Sequence, residues 1–166
     1  MARTRRDEDL AHVQAGVAGD MDAVLVFNVL RTHSYLAPLI GASLRRQHVT
    51  AAQFNALLVL RAAGAGGLLM GEIGQRLVVT KSNVTGLVDR LERQGLVARG
   101  EHRDRRATVV RLTPAGVRLL NRTVPRHAEQ LAGLTGCLSG AEKRVLIRLL
   151  TKLRRELRRR HKEDER

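Results

Sequence analysis

Residues 71–114 read GEIGQRLVVTKSNVTGLVDRLERQGLVARGEHRDRRATVVRLTP, and the spacing of their apolar side chains changes along the way. Val84, Leu87, Val88 and Leu91 stand at i, i+3, i+4 and i+7. That spacing predicts a helix with one buried face and leaves Ser82, Asn83, Gly86, Asp89, Arg90 and Arg93 on the other faces. Thr80 stands where an N-cap oxygen meets the first free backbone N–H groups, and Gly95 where a left-handed terminal residue costs least, so the helix is expected from about Lys81 to Gln94. Upstream, Ile73 and Leu77 form one apolar stripe on a helix of roughly two turns, and the interval 78–80 has the length of the tight connection between two such helices. After Gly95 the pattern becomes strand-like: Leu96 and Val97 open one run, residues 108–112 (TVVRL) form another, and 100–106 between them are polar and charged. Short helix, turn, longer helix and a hairpin with a basic tip make a winged helix-turn-helix. In such a fold a helix fits the major groove of B-DNA, while a loop carrying Arg103, Arg105 and Arg106 reaches phosphates or the narrow minor groove.

The rest of the chain fits a mainly α protein with a small β-wing. At 166 residues it is one domain, or one domain with appended helices, and is long enough to bury a core. With 2% aromatic residues and no Trp, that core must be aliphatic. Thirty Lys and Arg against 16 Asp and Glu give a formal charge of +14, which favours a polyanionic partner over a merely solvated basic surface. One cysteine, Cys137, excludes an internal disulfide and a multi-cysteine metal site and suits a reducing cytoplasm. No apolar run is expected to span a bilayer, and the start MARTRRDED turns acidic where an export signal would turn apolar. No membrane partner is expected.

Taken in order, residues 1–19 form an arm that is either a short helix or disordered. Asp20 caps a long helix within 20–49 that carries Met21, Val24, Leu25, Leu30 and Leu36, and Pro38 should kink or break it. The winged domain occupies 50–113. Thr50 and Gln53 have capping-box spacing, Phe54, Leu57 and Leu58 lie on the inner face of the next helix, and Gly64, Gly66 and Gly67 end it; Leu68 and Leu69 are then expected to form a minimal strand beside the wing. Residues 114–158 hold two further helices. Thr113 and Pro114 start the first, which Pro125 should bend, and Ser139 with Glu142 caps the second, whose stripe is Leu146, Leu149, Leu150, Leu153 and Leu157. Residues 159–166 read as a charged tail. The terminal helices carry more apolar surface than a winged helix of about 60 residues needs to cover, so a second copy is the economical place to bury it. The rival is a monomer with a self-contained helical core.

EIGQRL (72–77), TKSNVTGLVDRLERQGLV (80–97) and DRRATVVRLTPAG (104–116) resemble, in order and spacing, the MarR (multiple antibiotic resistance regulator) winged-helix transcription factors. Asp104, Arg105 and Arg106, followed by a strand and then Leu112, Thr113 and Gly116, carry the most specific part of the resemblance. Two departures stand out: the first helix of the motif lacks the usual Ser or Thr near its start, where Leu68, Leu69, Met70 and Gly71 stand, and Glu101 and His102 replace the Asp-Pro that often opens the wing.

The resemblance implies a homodimer built from N- and C-terminal dimerisation helices, here Leu25 to Leu36, Val117 to Leu131 and Leu146 to Leu157. It implies double-stranded DNA as partner and a role as regulator, most often a repressor, rather than enzyme. It also assigns Arg105 or Arg106 to the minor groove, with Asp104 bracing an arginine; a solvated turn is the plain alternative. Read from the helix itself, Lys81, Ser82, Asn83, Thr85 and Arg90 are the candidates for base edges and phosphates, with local capping as the alternative role of Ser82 and Asn83. Asp89 is expected to pair with a basic neighbour. The family commonly binds small anionic or phenolic effectors in a crevice between the dimer helices and the DNA-binding lobe; by position Arg31, His33, Tyr35 and Phe54 would line it, or else be packing and surface residues. The N-terminal extension is similar to that of the urate-responsive branch, whose tryptophan is absent here. Peroxide-sensing members use a cysteine near the N-terminal helix, whereas Cys137 lies near the other end and reads as buried or incidental. The six His residues, at 12, 33, 48, 102, 127 and 161, show no ligand pair, and no cofactor, metal or catalytic constellation is expected. A second function class fits the charge: an architectural protein that binds DNA without sequence preference.

Overall fold

The computed structural model describes residues 20–77, 81–101 and 108–164, with the backbone alone at Lys81, Ser82, Lys162 and Asp164. The chain divides into two compact units, Met1–Thr123 and Val124–Arg166.

The first unit opens with α1, Met21–Arg45, capped by Asp20, whose Oδ1 accepts from the N–H groups of Asp22 (2.9 Å) and Ala23 (3.2 Å). Pro38 does not break α1. Its ring removes a single donor from a helix that has two or more turns on either side, so the cost is local and the helix re-forms beyond it. A second expectation also needs correcting. By length and composition alone α1 is long and apolar enough to cross a membrane. Asn28, Thr32 and Ser34 interrupt the apolar run in the sequence. In the helix, however, their side chains donate back to the carbonyls of Val24, Asn28 and Arg31 at 2.7–2.8 Å, which lowers their polarity.

Thr50 and Gln53 form the expected capping box at the start of α2, Ala51–Ala63: Gln53 N–H donates to Thr50 Oγ1 (3.2 Å) and Thr50 N–H to Gln53 Oε1 (2.9 Å). One 3₁₀ turn, Gly64–Gly66, leads to β1, Leu68–Leu69. Then come α3, Met70–Leu77; α4, Lys81–Arg93; β2, Val97–Glu101; and β3, Thr108–Leu112. The sheet is antiparallel in the order β1-β3-β2, with Leu68 opposite Val110 and Val97 opposite Leu112. Phe54, Leu57, Leu60, Ile73, Val84, Val88, Leu91, Val97, Val110 and Leu120 are almost wholly buried, so α2, α3, α4, the sheet and the start of the next helix enclose one aliphatic core.

That next helix is α5, Pro114–Leu134. Thr113 caps it by accepting from Gly116 N–H (3.1 Å), and its hydroxyl donates to Gly95 O (2.6 Å), tying the end of α4 to the start of α5. Gly116 sits directly against the backbone carbonyl of Leu96, where no side chain fits. α5 runs on through Pro125, which does not end it.

In the second unit, Ser139 and Glu142 cap α6, Gly140–Asp164: Ser139 N–H donates to Glu142 Oε2 (2.7 Å) and Glu142 N–H to Ser139 Oγ (3.3 Å). The segment expected to be a charged tail is helical as far as Asp164. Arg159 pairs with Glu156 and Glu163 (both 2.6 Å), and Arg160 with Glu156 (3.1 Å), at the i,i+3 and i,i+4 spacings that support a helix.

Candidate nucleic-acid interface

The face of α4 that holds Val84, Leu87, Val88 and Leu91 is buried, and that burial orients the opposite face outward. Asn83, Thr85, Arg90 and Arg93 are exposed there. The helix ends at Arg93, and Gly95 follows in the left-handed region (φ 68°), as its position requires. Gln53 Nε2 donates to Gln94 Oε1 at 3.0 Å, so the end of α4 is tied to α2 as well as to Thr113. Candidate contacts are thus presented on a helix fixed at its C-terminal end from two sides.

Lys81 and Ser82 form the first turn of α4, where free backbone N–H groups and the helix dipole favour an anion. The expected cap Thr80 lies outside the described residues, as do Arg103, Asp104, Arg105 and Arg106 at the hairpin tip. The strands that carry the tip are described, and they run in register from Val97–Leu112 to Glu101–Thr108.

Asp89 does pair with a basic neighbour. Arg99 on β2 donates through Nη2 to Asp89 and through Nη1 to Glu92, and its backbone N–H donates to Glu92 Oε1 at 3.1 Å. The Asp89 hydrogen bond, opposed by partial burial and helped by Glu92, raises the Arg99 pKa above its ordinary value. Sequence reading found Asp89 but missed Glu92 and Arg99, which come together only when the hairpin folds back onto α4.

A second missed group is Glu72. Its Oε2 accepts from Leu69 N–H at 2.8 Å, which supplies half of a capping box at the start of α3, where the resemblance predicts a Ser or Thr and none stands. The signal was an acidic residue at the third helical position.

The effector candidates fall in different surroundings. His33 and Tyr35 are exposed on α1, Arg31 is half-buried there, and Phe54 is buried in the core of the winged lobe. Cys137 is exposed, not buried, in the turn between α5 and α6. Among the described residues no three His, Cys, Asp or Glu side chains are grouped to hold a metal.

An outward polar helix on a buried aliphatic face, with a three-stranded wing beside it, defines the winged helix-turn-helix class of DNA-binding proteins. Residues 49–107 match the family model described as MarR family. The chain is 30% identical over 111 residues to an uncharacterized HTH-type transcriptional regulator of Bacillus cereus, covering 66% of this chain and 73% of that protein. It is 29% identical over 163 residues to the HTH-type transcriptional regulator PecS of Dickeya dadantii, covering 95% and 98%. With the HTH-type transcriptional repressor YetL of Bacillus subtilis it shares 32% over 99 residues, which is 59% of each, so the match spans less than two-thirds of that relative.

Two solved structures are similar over most of their length. One is the Staphylococcus aureus MepR–DNA complex (27% identity, 78% of this chain and 96% of that one, TM-score 0.71). The other is Bordetella bronchiseptica BpsR, whose DNA binding is regulated by 6-hydroxynicotinic acid (26%, 82% and 95%, TM-score 0.68). The chain belongs to the MarR family of winged helix-turn-helix transcriptional regulators, a family of regulators and not of enzymes.

Proposed function

We propose that this protein is a homodimeric, cytoplasmic, sequence-specific transcriptional repressor that binds a pseudo-palindromic operator and is released by a small anionic or phenolic effector. The observation that carries DNA binding is α4, with four apolar side chains buried and Asn83, Thr85, Arg90 and Arg93 turned outward. Those short polar and basic groups suit base edges and phosphates, while Lys81 and Ser82 begin the helix where phosphate is favoured. Arg103, Arg105 and Arg106 serve as wing contacts, with Asp104 bracing one of them.

The dimer is supported by exposed apolar side chains on α1 (Leu25, Val26, Leu30, Leu39) and α6 (Leu146, Ile147, Leu149, Leu157), more than a solitary chain leaves in water. Two-fold symmetry places the recognition helices about 34–36 Å apart, hence half-sites centred about 10 bp apart. The effector is supported by BpsR, a fold relative whose DNA binding 6-hydroxynicotinic acid regulates, and by the position of Arg31, His33 and Tyr35; Phe54 would reach a ligand only through rearrangement of the core.

The test is fluorescence anisotropy with a duplex from the DNA flanking its own gene, at about 150–200 mM salt with unrelated competitor, where non-specific binding is typically only about 10⁻⁴–10⁻⁶ M. Nanomolar, competitor-resistant binding supports the reading, and Arg105→Ala or Arg106→Ala then weakens it far more than Arg159→Ala. Binding that any sequence competes away equally would point instead to an architectural role, and equal losses at all three arginines would remove the wing contacts from the proposal.

A further inference from the structure

Among the described residues β2 is an edge strand: β3 lies on one side of it and no strand on the other. An edge of this kind leaves backbone groups unpaired and the strand free to pivot about its single neighbour. Arg99 occupies the middle of that edge, opposite Val110. On its open side the Arg99 N–H donates to Glu92 Oε1, and the guanidinium spans Glu92 and Asp89, three residues apart on α4. Three bonds from one residue to one turn of helix fix direction as well as distance. A guanidinium is suited to this because its planar fork meets two carboxylates at once, whereas an ammonium is a point charge.

We propose that Arg99 is a positioning residue that locks the β2–β3 hairpin to the recognition helix, so that hairpin and helix meet DNA as one body. The proposal rests on the DNA-binding reading above. Its guanidinium is engaged by two carboxylates and only 30% exposed, so it is not offered as a phosphate contact. What the lock supplies is pre-organisation: once the helix is seated, a hairpin held at a fixed angle arrives at its groove without a search.

The test uses the full chain in two measurements. In the free protein, Arg99→Ala is expected to speed amide hydrogen exchange in 97–101 and 108–112 while α2 and α3 stay protected, with Arg99→Lys in between. Unchanged exchange in the hairpin overturns the lock. On a duplex from the DNA flanking its own gene, Arg99→Ala is expected to weaken binding about tenfold or more, and in an Arg106→Ala background the further loss should shrink to about twofold or less. A full, additive loss in that background would show Arg99 acting apart from the wing and overturn the proposal, as would Arg106→Ala binding like wild type, since nothing would then be positioned. Should Arg99→Ala fail to fold, Asp89→Asn with Glu92→Gln, which keeps size and shape, carries the same cycle. A wild-type chain with no operator preference would defeat the functional reading, while the exchange experiment would still decide the lock.

Discussion

Helices α4 and α6 carry the same apolar spacing and end in opposite environments. In α4 the set Val84, Leu87, Val88 and Leu91 is at most 4% exposed. In α6 the corresponding Leu146, Leu149 and Leu150 are 46%, 53% and 39% exposed, Leu153 at i+7 is half-buried, and Leu157 a turn beyond is 56% exposed. Spacing therefore reports that a helix has an apolar face, and says nothing of what covers it. The cover on α4 comes from α2, α3 and the sheet of its own chain. For α6 the proposed cover is a second copy.

The sharpest way to break this contrast is to put charge on the open face. Leu149→Glu with Leu150→Glu is expected to raise the dimer dissociation constant about thousandfold or more, read by analytical ultracentrifugation, because two central apolar anchors would each meet a buried carboxylate. A sedimentation profile like that of the wild type would mean that α6 is not the covered face. Next in size is the closed face: Leu91→Ala should cost about 3 kcal/mol in chemical denaturation, since nothing near it can collapse into the void. Leu149→Ala, by contrast, should leave the melting of a dilute sample nearly unchanged. Gly116→Ala is expected to cost about 2 kcal/mol, because its methyl would enter the Leu96 carbonyl and force the start of α5 away from the lobe. Thr50→Ala should cost about 1 kcal/mol through loss of the α2 cap, seen as a lower melting temperature.

The smallest effect is electrostatic. Hydrogen bonds from Arg159 and then Arg160 pull Glu156 down from its ordinary 4.5 to about 2. A depressed carboxylate supports the folded form above its ordinary pKa and loses that support as pH falls through the lowered one. Slight fraying of α6 is therefore expected between about pH 4.5 and 2, measurable by circular dichroism at low salt, and Glu156→Gln should reduce it, leaving the part that comes from Glu142, whose pKa the Ser139 hydrogen bonds also lower.

Local signals were legible in the sequence. The α4 stripe, the caps at Asp20, Thr50, Thr113 and Ser139 and the left-handed Gly95 each depend on neighbours a few positions away; the strand at Leu68 and Leu69 was legible too, although its pairing partners Val110 and Val109 lie far along the chain. What failed to show depends on groups far apart or on helix already formed. Pro38, expected to kink or break its helix, does not break it, because enough helix stands on both sides to absorb one missing donor. Arg99 meets Asp89 and Glu92 only after the chain reverses at Gly95. In the same way Glu72 becomes a cap only once Leu69 is pinned in the sheet. For Phe54 the packing alternative, on the inner face of its helix, is the one the burial agrees with. The proposed wing-tip arginines remain a sequence inference, since residues 102–107 lie outside the described part of the chain.

The two-residue strand β1 has a consequence for kinetics. Leu68 and Leu69 pair with Val110 and Val109, so this short ladder closes a loop of about 40 residues that contains both helices of the motif. Closing such a loop costs roughly 3 kcal/mol of chain entropy, a cost that two residue pairs must help to offset. Gly67 makes the closure possible: at φ 73° it lies against the Val110 carbonyl, where a side chain would hold the seam open. Residues 68–112 are thus a drawstring pouch, and the drawstring is its weakest seam. Its opening is expected to precede global unfolding as a separate, sub-global exchange event, releasing the recognition helix with its hairpin while α2 stays folded.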